Sequence, residues 1–270
     1  MNKALEKVFP VFCPNSANFD KYPELTFLAA NIFPKQIYDL LKQCKSDINE
    51  DVITIDDFCR ESDDNRLGAL FNSYGSDKTI HGHSRIYSRI FDLLNRDNLS
   101  IFEIGIGTNN PNAISTMGVY GKPGASLRAF RDYSNDFFIY GADIDRNILF
   151  TEERIQTTFI DQTKFETYSE ALNKFNKSSF DVIIDDGLHS PLSNINTLIF
   201  GLNVVKNGGY IVIEDIPFRC RSIWDIIRNI LPGEFVDTYL IARGQNSGGY
   251  VFVVHVRKNY INGKIVDSVS

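Results

Sequence analysis

FVDTYLIARGQNSGGYVFVVHVRK (235–258) reads as two apolar strands around the turn GQNSG. Strands joined by so few residues must pair antiparallel. Upstream, two kinds of segment alternate. LSIFEIGIG (99–107), DFFIYGADID (136–145), RIQTTFID (154–161), SFDVIIDDG (179–187) and GGYIVIEDI (208–216) are strand-like runs that end in glycines or acids. SRIYSRIFDLLNR (84–96), ASLRAFRDY (125–133), FETYSEALNKF (165–175), SPLSNINTLIFGLNVV (190–205) and CRSIWDIIRNIL (220–231) have helical spacing. Ser190 is an N-cap for its helix, with Pro191 at the first helical position. The alternation implies βαβ units and a parallel sheet covered on both faces. The expected fold is therefore α/β, with seven strands, mostly parallel, ending in an antiparallel hairpin. That ending differs from the usual dinucleotide-binding order.

Residues before this region read differently. PKQIYDLLKQC (34–44) has helical spacing, with Ile37, Leu40 and Leu41 on one face. KSDINEDVITIDDFCRESDDNR (45–66) is polar and acid-rich, and reads as a loop with a short acidic helix. The expected organisation is a helical N-terminal appendage over 1–70, serving as lid or oligomerisation arm, and a catalytic domain over 71–270. The extra helices make a homo-oligomer an expectation.

The chain has 270 residues and a formal net charge of −6, with 43% hydrophobic and 23% charged residues. A mildly acidic chain lacks the basic face that a nucleic-acid binder needs. It also offers no polybasic surface to a membrane, and no stretch is apolar for long enough to span one. Cys13, Cys44, Cys59 and Cys220 are scattered, with no C-x-x-C pair, which fits reduced thiols. MNKALEKVFPVFCPNSANF lacks the apolar core and cleavage site of a secretory signal. A cytoplasmic location is the expectation.

Three motifs carry chemistry. Glu103-Ile-Gly105-Ile-Gly107-Thr-Asn109 follows a strand, and glycines there let a ligand approach the backbone. The third glycine of G-x-G-x-x-G is absent, since position 110 is Asn. Gly141-Ala-Asp143-Ile-Asp145 ends the next strand, where an acid can accept hydrogen bonds from a ribose diol. It lies nearly forty residues past the glycines, against about 20 in a dinucleotide fold. The excess is a Gly/Asn/Pro-rich loop after Gly107, placed to cover a cofactor. The third motif pairs Asp185-Asp186-Gly187-Leu188-His189 with Gly208-Gly209-Tyr-Ile-Val-Ile-Glu214-Asp215. Adjacent strands, about 4.8 Å apart, would crowd these acids on one rim, which repels unless a cation or hydrogen-bond donors offset it. Mg²⁺ takes carboxylate oxygens together with water and substrate oxygens.

In this order the motifs resemble those of bacterial metal-dependent sugar O-methyltransferases. These are class I S-adenosylmethionine-dependent enzymes with a Rossmann-like sheet, of the mycinamicin and capsule-tailoring types. The resemblance runs from about Tyr74 to Asp215. It implies that Glu103, Gly105, Gly107 and Asp143 bind S-adenosylmethionine, with Asp161 and Gln162 near the adenine and Asp185 near the methionine end. It adds Tyr74, Lys78 and Ser126 to the cofactor site and puts His81 at its mouth. It implies Asp186, Glu214 and Asp215 as Mg²⁺ ligands and His189 as the base. The family's Ser before that histidine is Leu188 here, and the loop 108–126 is specialised.

The reaction so implied is methyl transfer to a hydroxyl of a sugar or sugar nucleotide, in polysaccharide (capsule) or natural-product tailoring. A phosphate- or phosphoramidate-bearing acceptor is the alternative within that chemistry, with Arg219, Arg221 and Arg243 as candidate anion contacts. An NAD-dependent oxidoreductase is the alternative of another class. The absent third glycine and the closing hairpin argue against it.

Overall fold

The computed structural model describes residues 22–59, 65–243, 248–257, 260–261 and 264–265. The start of the chain, Cys13 and the centre of the GQNSG turn lie outside them.

The described chain forms two compact units. Among the described residues, the smaller comprises 22–50 and 221–230. Helix α1 (Tyr22–Cys44) belongs to it. The segment after α1 is tied to Asn229 of the 221–230 helix. Asn49 N donates to Asn229 Oδ1 (2.9 Å), and Asn229 Nδ2 donates back to Asn49 O (3.0 Å). The boundary expected at residue 70 is not where the units divide. The expected apolar face of α1 is also not the covered one. Ile37 and Leu40 are exposed, whereas Tyr38 is buried and donates to Glu50 (2.7 Å).

The larger unit is built on a nine-stranded sheet. Its strands are β1 (Val52–Thr54), β2 (Ser100–Ile104), β3 (Phe138–Asp143), β4 (Thr151–Glu152), β5 (Ile155–Phe159), β6 (Phe180–Asp185), β7 (Val205–Ile216), β8 (Val236–Ala242) and β9 (Tyr250–Val256). The order across the sheet is β1-β8-β9-β7-β6-β2-β3-β5-β4. The seven expected strands form its body, and β9 runs antiparallel to both neighbours. The two additional strands sit at the edges and are three and two residues long. Runs that short carry no period to read. β1 comes from the segment read as loop and pairs parallel with β8.

Five helices of this unit matter for the site: α2 (Ile55–Phe58), α3 (Arg66–Tyr74), α4 (His83–Leu94), α5 (Ala125–Tyr133) and, after β5, α6 (Glu166–Phe175). α7 (Pro191–Val204) follows β6 and starts with the capping box of Ser190 and Ser193 around Pro191. On one face Phe130 of α5 meets Phe71, Tyr87 and Phe91 edge-on. On the other, Phe102 packs with Phe175, Phe180 and Phe200. Both faces being covered explains why β2 and β6 are buried at every position.

Chain order reverses beside β2, which has β3 on one side and β6 on the other. Register sets the strand ends level: Ile104 lies opposite both Ala142 and Asp185. Ligand crevices of open α/β sheets form at such a switch point, beyond the strand carboxyl ends. No helix among the described residues is long and apolar enough to cross a membrane.

Candidate active site

The turn after β2 is made by Gly105 and Gly107, both with positive φ (91° and 84°). A side chain at Gly105 would also place its Cβ 2.2 Å from the carbonyl oxygen of Asp186. The glycine therefore lets the β2 and β6 loops touch. Asp143 holds this turn from β3. It accepts from Ile106 N (3.0 Å) and Asp145 N (2.9 Å), one bond at each carboxylate oxygen. Burial nevertheless keeps its carboxyl above the ordinary range. Asp145, two residues on, is half-exposed and accepts from Thr108 Oγ1 (2.6 Å).

A cavity of about 890 Å³ opens above these loops. Most residues expected at the cofactor line it: Gly105, Gly107, Ser126, Asp143, Asp161 and Gln162, as well as Lys78. Asp161 is locally capped by Thr163 and Lys164, whose bonds outweigh burial and lower its pKa. Glu103 and Asp185 lie beneath the wall rather than in it. Glu103 accepts from Ser126 Oγ (2.6 Å). Asp185 accepts from Gln162 Nε2 (2.9 Å), and Gln162 Oε1 in turn accepts from Leu188 N (2.8 Å). Tyr74 stands outside the cavity, with its hydroxyl on Asp132. Its motif put it next to Lys78, but α3 turns it away. Asn112 to Met117 of the long loop also line the cavity.

The acids cluster at one end. β7 bulges between Ile213 and Ile216, where its pairing with β9 shifts register. A bulge re-aims side chains, and here Glu214 and Asp215 part company. Glu214 is buried against Lys78 Nζ (2.8 and 2.9 Å), His83 Nδ1 (2.7 Å) and the Tyr87 hydroxyl. Burial would raise its pKa, but His83 and Lys78 hold the carboxyl far below its usual range. Asp215 has a left-handed φ of 55° and pairs with Arg243. Asp186 reaches Lys78 Nζ (2.6 Å) with one oxygen and lies 3.9 Å from His189 Nε2 with the other. Lost hydration and the nearby Glu214 charge hold Asp186 well above the carboxylate range. His189 is the second residue in the left-handed region (φ 53°). Such strain in a non-glycine residue persists only where surrounding structure imposes it, commonly at functional sites.

Donor atoms of Asp186, His189 and Asp215 all lie within 4.8 Å of one another. Of the expected metal ligands, then, Asp186 and Asp215 converge together with the expected base. Glu214 joins them only through Lys78, which also reaches Glu103 (3.1 Å). Four carboxylates (Glu103, Asp186, Glu214, Asp215) meet two fixed cations (Lys78, Arg243). The carboxylates outnumber the permanent cations that meet them. The hard oxygen donors suit Mg²⁺. His83, Tyr87 and Arg243 were not selected from sequence as site residues of this cluster. The spacing of His83 and Tyr87, one helical turn apart on α4, was the signal available. Of the arginines considered for an anionic acceptor, Arg221 pairs with Asp225 and Arg219 is exposed.

The strand order, with its glycine turn at the switch point, defines the class I S-adenosylmethionine-dependent methyltransferase fold. Comparison with known proteins finds similarity to curated O-methyltransferases. It is 29% identical over 151 residues to the 8-demethyl-8-alpha-L-rhamnosyl tetracenomycin-C 2'-O-methyltransferase of Streptomyces olivaceus, covering 56% of this chain and 37% of the relative. It is 27% identical over 215 residues to the demethylmacrocin O-methyltransferase of Streptomyces fradiae, covering 77% and 45%. The matched segment thus spans less than half of either relative. Among solved structures, the MycE methyltransferase from the mycinamycin biosynthetic pathway in complex with Mg and SAH has a TM-score of 0.55 at 22% identity. That likeness covers 78% of this chain and 58% of MycE, and it carries the fold. No family model matches the chain.

Proposed function

We propose that the protein is an S-adenosylmethionine-dependent, Mg²⁺-assisted O-methyltransferase acting on a hydroxyl of a sugar or sugar nucleotide. One observation carries this reading. The donors of Asp186, His189 and Asp215 converge at the wall of the cavity that the Gly105–Gly107 turn opens. The sugar acceptor is supported by the names of the curated relatives, and MycE was solved with Mg, SAH and mycinamycin VI. Capsule polysaccharide or a natural product would supply such an acceptor.

In this reading the glycine turn admits the cofactor, and Asp143 and Asp145 line the cavity beside it at the end of β3. Asp186 and Asp215 hold the metal. Glu214 is the third ligand once it yields one of its partners. S-adenosylmethionine supplies the electrophilic methyl group. A divalent ion makes a chelated hydroxyl more acidic. His189 receives the acceptor's proton as general base, and the walls of the cavity orient the two reactants.

His189→Ala tests the assignment. Turnover should fall by about 10²–10⁴-fold, while calorimetric binding of S-adenosylhomocysteine stays within about twofold, because the Gly105 turn is untouched. Loss of cofactor binding in this variant, or binding of NAD in place of S-adenosylhomocysteine by the wild type, would sink the reading.

A further inference from the structure

Arg243 directly follows β8, and its backbone N–H donates to Gly249 O (3.0 Å) across the closing hairpin. Its side chain is 5% exposed. One nitrogen, Nη1, is bound to Asp215 Oδ1, and Nε has no hydrogen-bond partner among the described residues. Asp215 is also one of the three residues whose donor atoms lie within 4.8 Å of one another. One carboxylate is therefore wanted twice, by a guanidinium and by a metal ion. Arginine cannot resolve the conflict by losing its proton. A permanent positive charge in contact with a ligand oxygen repels any cation that the same carboxylate holds, and repulsion is strong where water is scarce. Lys78 makes a comparable claim on Asp186, but it also binds Glu103 and Glu214, so its removal disturbs three strands. Asp215 is the carboxylate that Arg243 pairs with, which makes the arginine separable.

We propose that Arg243 is a positioning residue that presets the Asp215 carboxylate and, by its charge, keeps a divalent ion loosely held. This rests on the metal site described under the proposed function. The charge term outweighs the positioning term, because the bulge and the left-handed backbone of Asp215 already direct its side chain.

The test is binding of Mn²⁺ alone, followed by electron paramagnetic resonance of the free ion, in wild type, Arg243→Gln, Arg243→Met, Arg243→Lys and Asp215→Asn. Both uncharged variants should bind Mn²⁺ at least about tenfold more tightly. Arg243→Lys, which keeps the charge, should stay close to wild type, and Asp215→Asn should bind more weakly. Two uncharged variants guard against one failing to fold, and S-adenosylhomocysteine binding reports on folding in each. Unchanged or weaker Mn²⁺ binding in a folded uncharged variant overturns the proposal. If Asp215→Asn alone behaves as expected, the metal site stands and the role of Arg243 falls. If wild type binds no Mn²⁺, or Asp215→Asn binds as well as wild type, the metal site itself falls, and the proposal with it.

Discussion

Replacing Lys78 by Met should be the most damaging single change at the site. Lys78 Nζ lies 2.6 Å from Asp186 Oδ2, 2.8 and 2.9 Å from the oxygens of Glu214, and 3.1 Å from Glu103 Oε1. Its side chain is only 3% exposed, so solvent screens little of this. Burial alone would lower its pKa, but the three carboxylates raise it well above the ordinary lysine value. Removing one partner of a buried ion pair costs about 3–5 kcal/mol, because the remaining charge stays uncompensated. For a domain of this size, each kcal/mol moves the melting temperature by roughly 2–4 °C. The expected drop is then about 6–20 °C, read by circular dichroism at pH 7.5.

The pH dependence has a definite sign. Burial already holds Glu103 and Asp186 above their ordinary range, and losing Lys78 lifts them further. A carboxyl whose folded pKa exceeds its unfolded value favours the folded state at low pH. That contribution is lost as pH rises from the unfolded value, near ~4, through the folded one. The deficit of the variant should therefore be smaller at pH 5 than at pH 8. A drop below about 3 °C, or a deficit that grows on acidification, refutes the reasoning.

Two further outcomes are expected. Gly105→Ala combines a φ of 91° with a Cβ 2.2 Å from a backbone oxygen, and should cost about 2–4 kcal/mol and weaken S-adenosylhomocysteine binding, as measured by thermal melts and calorimetry. Affinity for Mg²⁺ should fall as pH is lowered, because the ion competes with a proton for Asp186, whose carboxyl sits above its ordinary range; calorimetric titration across a pH series checks this, and a pH-independent Kd counts against Asp186 as a ligand.

Local signals in the chain were strong where local physics decides. The helix over 125–133 coincides with α5, and Ser190–Pro191 opens α7 as its capping chemistry requires. The two glycines of the β2 turn and the acids at the ends of β6 and β7 were likewise readable, since turn backbone and apolar runs are properties of a few neighbouring residues. The same logic failed on α1. Helical spacing there puts Ile37, Leu40 and Leu41 on one face, but Ile37 and Leu40 are exposed, because spacing says nothing of which face finds a partner.

Sequence by itself determined the α/β alternation, the closing hairpin, the cofactor turn and the presence of paired acids at strand ends. Tertiary structure alone decided what each acid does. Glu214 and Asp215 are adjacent in the chain, but the bulge in β7 sends one to Lys78, His83 and Tyr87 and the other to Arg243. Lys78 meets carboxylates from β2, β6 and β7, which are brought together by strand order and register rather than by spacing. The placement of a charge depends on long-range pairing, and no window of the chain contains both partners.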